Sequence, residues 1–175
     1  AVNNLERAMG DFIAQLEKSS LTQDIVERLP EALHALQHYT TVASLALNYA
    51  KQQSDIKMPK DAVINAVLEK YKVDAVALLH AADPKLADYS PDETEKMSNE
   101  LHKTYRQLRD ALLEAGAKQK ILIQTMDTIL YQINRVDRMT KQAFKGAKIL
   151  NRLLVHVDFP AADEKTNGEH EKVAA

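Results

Sequence analysis

Apolar residues recur at helical spacing along almost the whole chain. In residues 2–19 the positions Leu5, Met9, Phe12 and Leu16 follow one another at intervals of four, three and four, so they share one face of a helix. The serine pair at 19–20 offers a stop, and Thr22 offers a new N-cap. This spacing predicts a first helix over residues 2–19.

A second, longer helix is predicted over residues 22–54. Pro30 kinks or restarts it, because proline lacks the amide N–H that a continuous helix needs. No Asp, Glu, Lys or Arg occurs in residues 32–50, so this helix is apolar on more than one side. We interpret it as the central helix of a bundle; the alternative is a partner face that includes Val42 and Leu45. Its seam consists of Leu33, Leu36, Thr40, Ala43, Leu47 and Ala50.

Two further helices follow. One begins near Pro59, a favoured first helical residue, and ends at Asp83 and Pro84. The other begins at a capping box that contains Ser90, Pro91 and Glu93, and Gly116 is predicted as its C-cap. The inner face predicted for the former is Val63, Val67, Tyr71, Ala75, Leu78 and Ala82. The inner face predicted for the latter is Met97, Leu101, Tyr105, Leu108 and Leu112.

A fifth helix is predicted over residues 118–155, and its two faces differ in chemistry. One face carries the apolar residues Val136, Met139, Ala143, Ala147, Leu150 and Leu154. The opposite face carries what we call the basic stripe, which consists of Arg138, Lys141, Lys145, Lys148 and Arg152. Gln142 lies beside the stripe. The stripe is either a solvated face or a surface that attracts phosphate groups, lipid headgroups or an acidic partner. The small residues Ala143, Gly146 and Ala147 indicate a close approach by another helix to the same segment.

These segments predict an all-α fold, an antiparallel helical bundle of about five long helices with no strand. Residues 1–157 form a single domain, and residues 158–175 form a polar tail that we expect to be disordered. The chain has 175 residues, of which 45% are hydrophobic and only 5% aromatic. Helix formers dominate, and glycine and proline are scarce, as expected for such a bundle.

Charge and composition exclude several functions. The net charge of −2 gives no general attraction to nucleic acid, and the lack of cysteine excludes disulfides and thiolate chemistry. The charge-free residues 32–50 contain seven polar side chains and therefore do not predict a membrane span. Because the chain begins with Ala1 and shows no signal peptide, we expect it to be a piece of a longer protein.

One group of residues has the spacing of a metal site. Glu31 and His34 match the Glu-x-x-His spacing of carboxylate-bridged di-iron bundles, and His38 follows on the same side. A di-iron centre needs a second such motif, which the chain lacks, and all three residues are predicted to lie on an outer face. With no glycine-rich phosphate loop and no G-x-S-x-G, we predict no enzyme, no metal and no cofactor. A carboxylate–histidine metalloprotein stays a third alternative.

Two segments resemble a known family. "YRQLRDALLEAGA" (105–117) resembles the Tyr-x-x-Leu-Lys/Arg-x-x-Leu-Leu-x-Ala pattern of PhoU-like domains, in particular the cytoplasmic C-terminal domain of bacterial sodium/phosphate cotransporter family proteins. "RMTKQAFKGAKIL" (138–150) resembles that family's Arg-Arg-x-x-x-x-Gln-x-x-Lys-Ala-Ala helix. In "LQHYTTVASLALNYA" (36–50) only the apolar frame and Asn48 match.

The resemblance implies a regulatory domain below a membrane transporter, on the cytoplasmic side of the inner membrane. Its partners would be the transmembrane part of the same chain, a second copy or anionic headgroups, and not nucleic acid. The interaction surface expected from it consists of Tyr105, Arg109, Arg138, Lys141, Gln142, Lys145 and Arg152. The family's acidic metal motifs are missing here, since Asp137 stands alone. The other hypothesis is a stand-alone helical scaffold that dimerises through Val42 and Leu45.

Overall fold

The computed structural model describes residues 23–52 and 59–155, together with Arg7 and Asp11, which are helical. It contains α1 (Gln23–Gln52), α2 (Ala62–Ala81), α3 (Pro91–Ala117) and α4 (Ile123–Val155), and no strand occurs within these ranges. The predicted all-α bundle is therefore confirmed. The helix predicted over residues 2–19 and the polar tail 158–175 lie outside the described residues, apart from the two helical positions named above.

The central helix is α4, because it contacts α1, α2 and α3. Within the described ranges the backbone of α1 lies close only to that of α4, so the prediction that α1 is the central helix was wrong. Contacts between Asn48 and Arg135 and between His38 and Gln142 show that α1 runs antiparallel to α4. The contacts of Tyr105 with Asn134 and of His102 with Asp137 give the same relation for α3 and α4.

The main core lies between α2, α3 and α4. The predicted stripe of α3 is confirmed, since Leu101, Tyr105, Leu108 and Leu112 are all buried and Met97 is partly buried against them. The inner side of α4 contributes Ile129, Ile133 and Val136 to the same cluster. Tyr71 has no exposed surface, and its hydroxyl donates to the carbonyl of Ile133 at 3.2 Å, which ties α2 to α4.

The start of α2 differs from the prediction. The N-cap is Asp61, whose carboxylate accepts from the backbone N–H groups of Val63 and Ile64, so Pro59 lies before the helix. Val63 is 73% exposed, whereas Ile64 and Leu68 are buried. Residues three or four apart share a helix face, so the sequence allowed either of two pairs, Val63 with Val67 or Ile64 with Leu68, to face the core beside Tyr71. The structure buries the pair with the larger side chains, Ile64 and Leu68.

At α3, the prediction for the start is confirmed and that for the end is not. Ser90 is the N-cap and its hydroxyl accepts from the N–H of Glu93 at 3.3 Å, with Pro91 as the first helical residue. The C-cap is Lys118, one residue past the helix, and not Gly116. The left-handed backbone conformation that turns the chain towards α4 falls on Gln119, with φ of 55°.

The face of α1 that meets α4 is not the predicted seam. Leu47 is 64% exposed and Leu33 is also exposed, whereas Ala35 is buried and Val42 packs on a small cluster of alanines from α2 and α4. The close approach occurs at Gly146, where an added Cβ would lie 3.2 Å from both Cβ of His38 and the ring of Tyr39. The predicted approach at Gly146 is therefore found, and the residues of α1 that it meets are His38 and Tyr39.

Two buried tyrosines predict a loss of stability at alkaline pH. Burial, together with the charge of Asp83, raises the pKa of Tyr39 to about 12, and burial also raises the pKa of Tyr71. The folded state then holds these protons more tightly than the unfolded chain, whose tyrosines ionise near 10. The stabilisation is complete below about pH 10 and is lost as the pH rises from there towards 12.

We therefore expect the free energy of unfolding in urea to fall between pH 10 and pH 12. Tyr39→Phe should flatten this fall, since phenylalanine has no proton to lose. Tyr131→Phe is the matched control, because Tyr131 is half exposed. An equal effect of both substitutions would contradict the assignment to burial.

Candidate functional site

The basic stripe lies on the outer side of α4, between the sides that face α1 and α3. Arg138, Lys145, Lys148 and Arg152 are exposed, and Lys141 is partly exposed. The stripe is flanked towards α1 by Gln142 and towards α3 by Asp137, which contact those helices. Within the described ranges α1 and α3 pack on α4 from either side of the stripe and do not contact each other, and we call the strip of α4 surface left between them the groove.

Most charges of the stripe are not neutralised within the described part of the chain. All four lysines of α2 and α3 form an ion pair with an acid one helical turn away. Examples are Lys72 with Glu69 at 2.7 Å and Lys103 with Glu100 at 2.6 Å. In contrast, Arg138, Lys145 and Lys148 of the stripe form no ion pair within the described part of the chain. Lys148 lies instead over the ring of Phe144, 5.9 Å from its centroid.

On the α3 border, Asp137 connects two helices. Its carboxylate lies 3.2 Å from Nδ1 of His102 and 2.8 Å from Nζ of Lys141, and its side chain is only 13% exposed. Nε of Arg106 donates to Nε2 of His102 at 3.1 Å, so Nε2 is the acceptor and Nδ1 carries the proton that Asp137 accepts. This chain of contacts joins Arg106 of α3 to Lys141 of the stripe.

The His102–Asp137 pair resembles a catalytic base that is oriented by an acid. Among the described residues, however, no nucleophile is hydrogen-bonded to the imidazole. Nε2 of His102 is occupied by Arg106. The ring stacks on Tyr105 with centroids 5.8 Å apart. The arrangement positions two basic side chains at the edge of the groove.

On the α1 border, the residues considered as metal ligands have other contacts. Nδ1 of His38 lies 2.5 Å from Oε1 of Gln142, and Glu31 lies 3.8 Å from Arg152. His34 and His38 have ring centroids 4.6 Å apart. The prediction of an outer face was wrong for His38, which is partly buried against α4. In the described ranges no group of three or more His, Asp or Glu could hold a metal ion.

Other residues of the predicted interaction surface do not lie in the groove. Tyr105 is buried, and its hydroxyl donates to Oδ1 of Asn134, so it belongs to the core and not to a docking surface. Arg109 is exposed and pairs with its neighbour Asp110 at 2.8 Å. Val42 packs against Ala82, Ala143 and Ala147, and Leu45 is partly buried, so the proposed partner face on α1 is wrong for Val42.

Sequence reasoning missed His102, Arg106 and Asp137 as members of the site. The spacing of four between His102 and Arg106, and between Asp137 and Lys141, was visible and typical of side chains that meet on one helix. The contact between His102 and Asp137 joins residues of different helices. No local pattern could predict it.

A small cavity lies on the other side of α4, between α1 and α2. Its volume of about 30 Å³ holds only about two water molecules, so it is too small for a substrate. Tyr49, Tyr71 and Val136 line it together with other mostly apolar side chains. The groove with the basic stripe is therefore the candidate functional site.

Comparison of the chain with protein-family models, with curated proteins and with solved structures finds no match. None of the helices in the described ranges is long and apolar enough to cross a bilayer. The class that the fold defines is thus an all-α helical bundle with an outward basic groove.

Proposed function

We propose that this chain is a non-catalytic accessory domain that docks on a negatively charged partner through the basic stripe of α4. The observation that carries the proposal is the set of uncompensated charges on Arg138, Lys145 and Lys148, in a chain that neutralises the lysines of α2 and α3. A long stripe of one sign attracts its opposite, and exposed charges outside ion pairs need not break one before they bind a partner.

The resemblance of residues 105–117 and 138–150 to PhoU-like domains supplies the setting. In that setting the domain regulates a sodium-dependent phosphate transporter from the cytoplasmic side, and its partner is the transmembrane part of the same protein. The small residues around Gly146 fit this view, because they hold α1 close to α4 and leave the stripe on the open side. For the alternative of a stand-alone scaffold, exposed apolar side chains such as Leu33 and Leu47 of α1 are available for self-association.

The first test is the gene sequence upstream of Ala1. The transporter setting requires hydrophobic spans there, and an open reading frame that starts a few codons upstream would end it. If the spans are present, the transmembrane part can be reconstituted in nanodiscs and mixed with this chain.

Charge reversal should then abolish docking. The double variant Arg138→Glu, Lys145→Glu replaces two exposed cations of the stripe with acids, so we expect binding to the nanodiscs to weaken at least tenfold, as measured by biolayer interferometry at low salt. The matched control is Lys60→Glu, Lys85→Glu, which makes the same net charge change at exposed lysines elsewhere. Equal loss in both variants would show that net charge, and not the stripe, governs binding.

A further inference from the structure

The spacing of the basic stripe carries information about the shape of its partner. Its five members follow one another at intervals of three, four, three and four residues, from Arg138 to Arg152. This alternation keeps a row of side chains on one side of a helix, and it is the spacing at which two long helices keep contact with each other. Over these fourteen steps the row is about 21 Å long.

The two borders of the groove make a flat anionic surface a poor fit. Glu31 of α1 stands at one border, beside Arg152, and its side chain is 47% exposed. On α3, Glu95 is exposed and lies two turns before His102, on the same side of that helix. A bilayer that touched the stripe would bring its headgroups against these carboxylates, whereas a single helix, about 10 Å across, can lie along the basic row without covering both borders.

We infer that the partner bound by the basic stripe is a helix that carries acidic side chains at the same alternating spacing of three and four residues. The inference rests on the proposed docking function and adds the shape and register of the partner. Lys145 and Lys148 would form the centre of the contact, since both are exposed and neither is bound to an acid within the described ranges. Lys141 would join by exchanging Asp137 for a partner carboxylate, which leaves Asp137 with His102.

The experiment uses the full chain and two synthetic helical peptides of equal length and composition. One has glutamates at alternating intervals of three and four, and the other has the same glutamates distributed around the helix; circular dichroism checks that both are helical. Fluorescence anisotropy at 50 mM salt measures binding. We expect the patterned peptide to bind about tenfold more tightly, because several exposed ion pairs, each weak by itself, act together.

Charge variants and a bilayer probe separate the outcomes. Arg138→Glu, Lys145→Glu should remove the preference for the patterned peptide, and Lys60→Glu, Lys85→Glu should preserve it. Equal binding of both peptides through the stripe would overturn the helix inference and leave the docking function standing. Binding of phosphatidylglycerol vesicles through the stripe, without binding of the patterned peptide, would overturn it in favour of a bilayer. No stripe-dependent binding of any of these probes would count against both proposals.

Discussion

Leu108→Ala should lower the free energy of unfolding by about 3 kcal/mol, the middle of the range for removing a buried leucine side chain. Leu108 has no exposed surface and lies in the core cluster that α2, α3 and α4 share. The substitution leaves a cavity at the point where three helices meet. Urea unfolding followed by circular dichroism at 222 nm measures the change.

Leu113→Ala is the control for this prediction. It makes the same chemical change in the same helix, but Leu113 is 46% exposed, so the cost should be about 1 kcal/mol or less. Similar losses in the two variants would mean that α3 does not face the core as described. The measured slope with urea should stay unchanged in both, since neither variant alters the surface exposed on unfolding.

Gly146→Leu should detach α1 from α4 and cost about 2 kcal/mol, a typical value for overpacking. A Cβ at this position already lies 3.2 Å from His38 and Tyr39, and the remaining atoms of leucine would extend into the same contact. Within the described ranges α4 is the only helix whose backbone lies close to that of α1, so the damage should be concentrated in α1. Hydrogen exchange should accelerate in residues 23–52 and change little in residues 62–117.

Two control variants test whether the close contact at Gly146 causes the faster exchange in α1. Gly146→Ala adds only the Cβ, and a gain in helix propensity of about 1 kcal/mol offsets the tighter contact, so its net effect should be near zero. Lys145→Leu adds the same side chain one residue away, on the exposed side of α4, and should leave exchange in α1 unchanged. Rapid exchange of α1 in the Lys145→Leu variant would contradict the role given to Gly146.

The positions of the helices could be predicted from the sequence, but the buried face of each helix could not always be predicted. The strong stripe of α3 from Leu101 to Leu112 was confirmed, because its polar and apolar sides differ sharply. In α2, Val63 was assigned to the core and is exposed, because valines and alanines lie on several sides of that helix and either face satisfies the pattern. Where apolar residues surround a helix, local spacing does not identify the inner face.

The same limit explains the errors on α1. Its charge-free stretch offered several faces, and Leu33 and Leu47 gave the best seam by size and spacing. The structure packs Ala35 and Val42 inward instead, and Gly146 on α4 leaves room for His38 and the ring of Tyr39. Close packing between two helices depends on both surfaces, and the sequence of one helix describes only one of them.

The sequence by itself determined that this protein is helical, where α3 begins, and that α4 has an apolar side opposite a basic stripe. Each of these properties follows from neighbours within one or two helical turns. Only the tertiary structure decided that α4 is central, that Tyr105 is part of the core, and that Asp137 joins His102 to Lys141 at the edge of the groove. These relations connect residues far apart in the chain, and they are selected by which helix surfaces fit together.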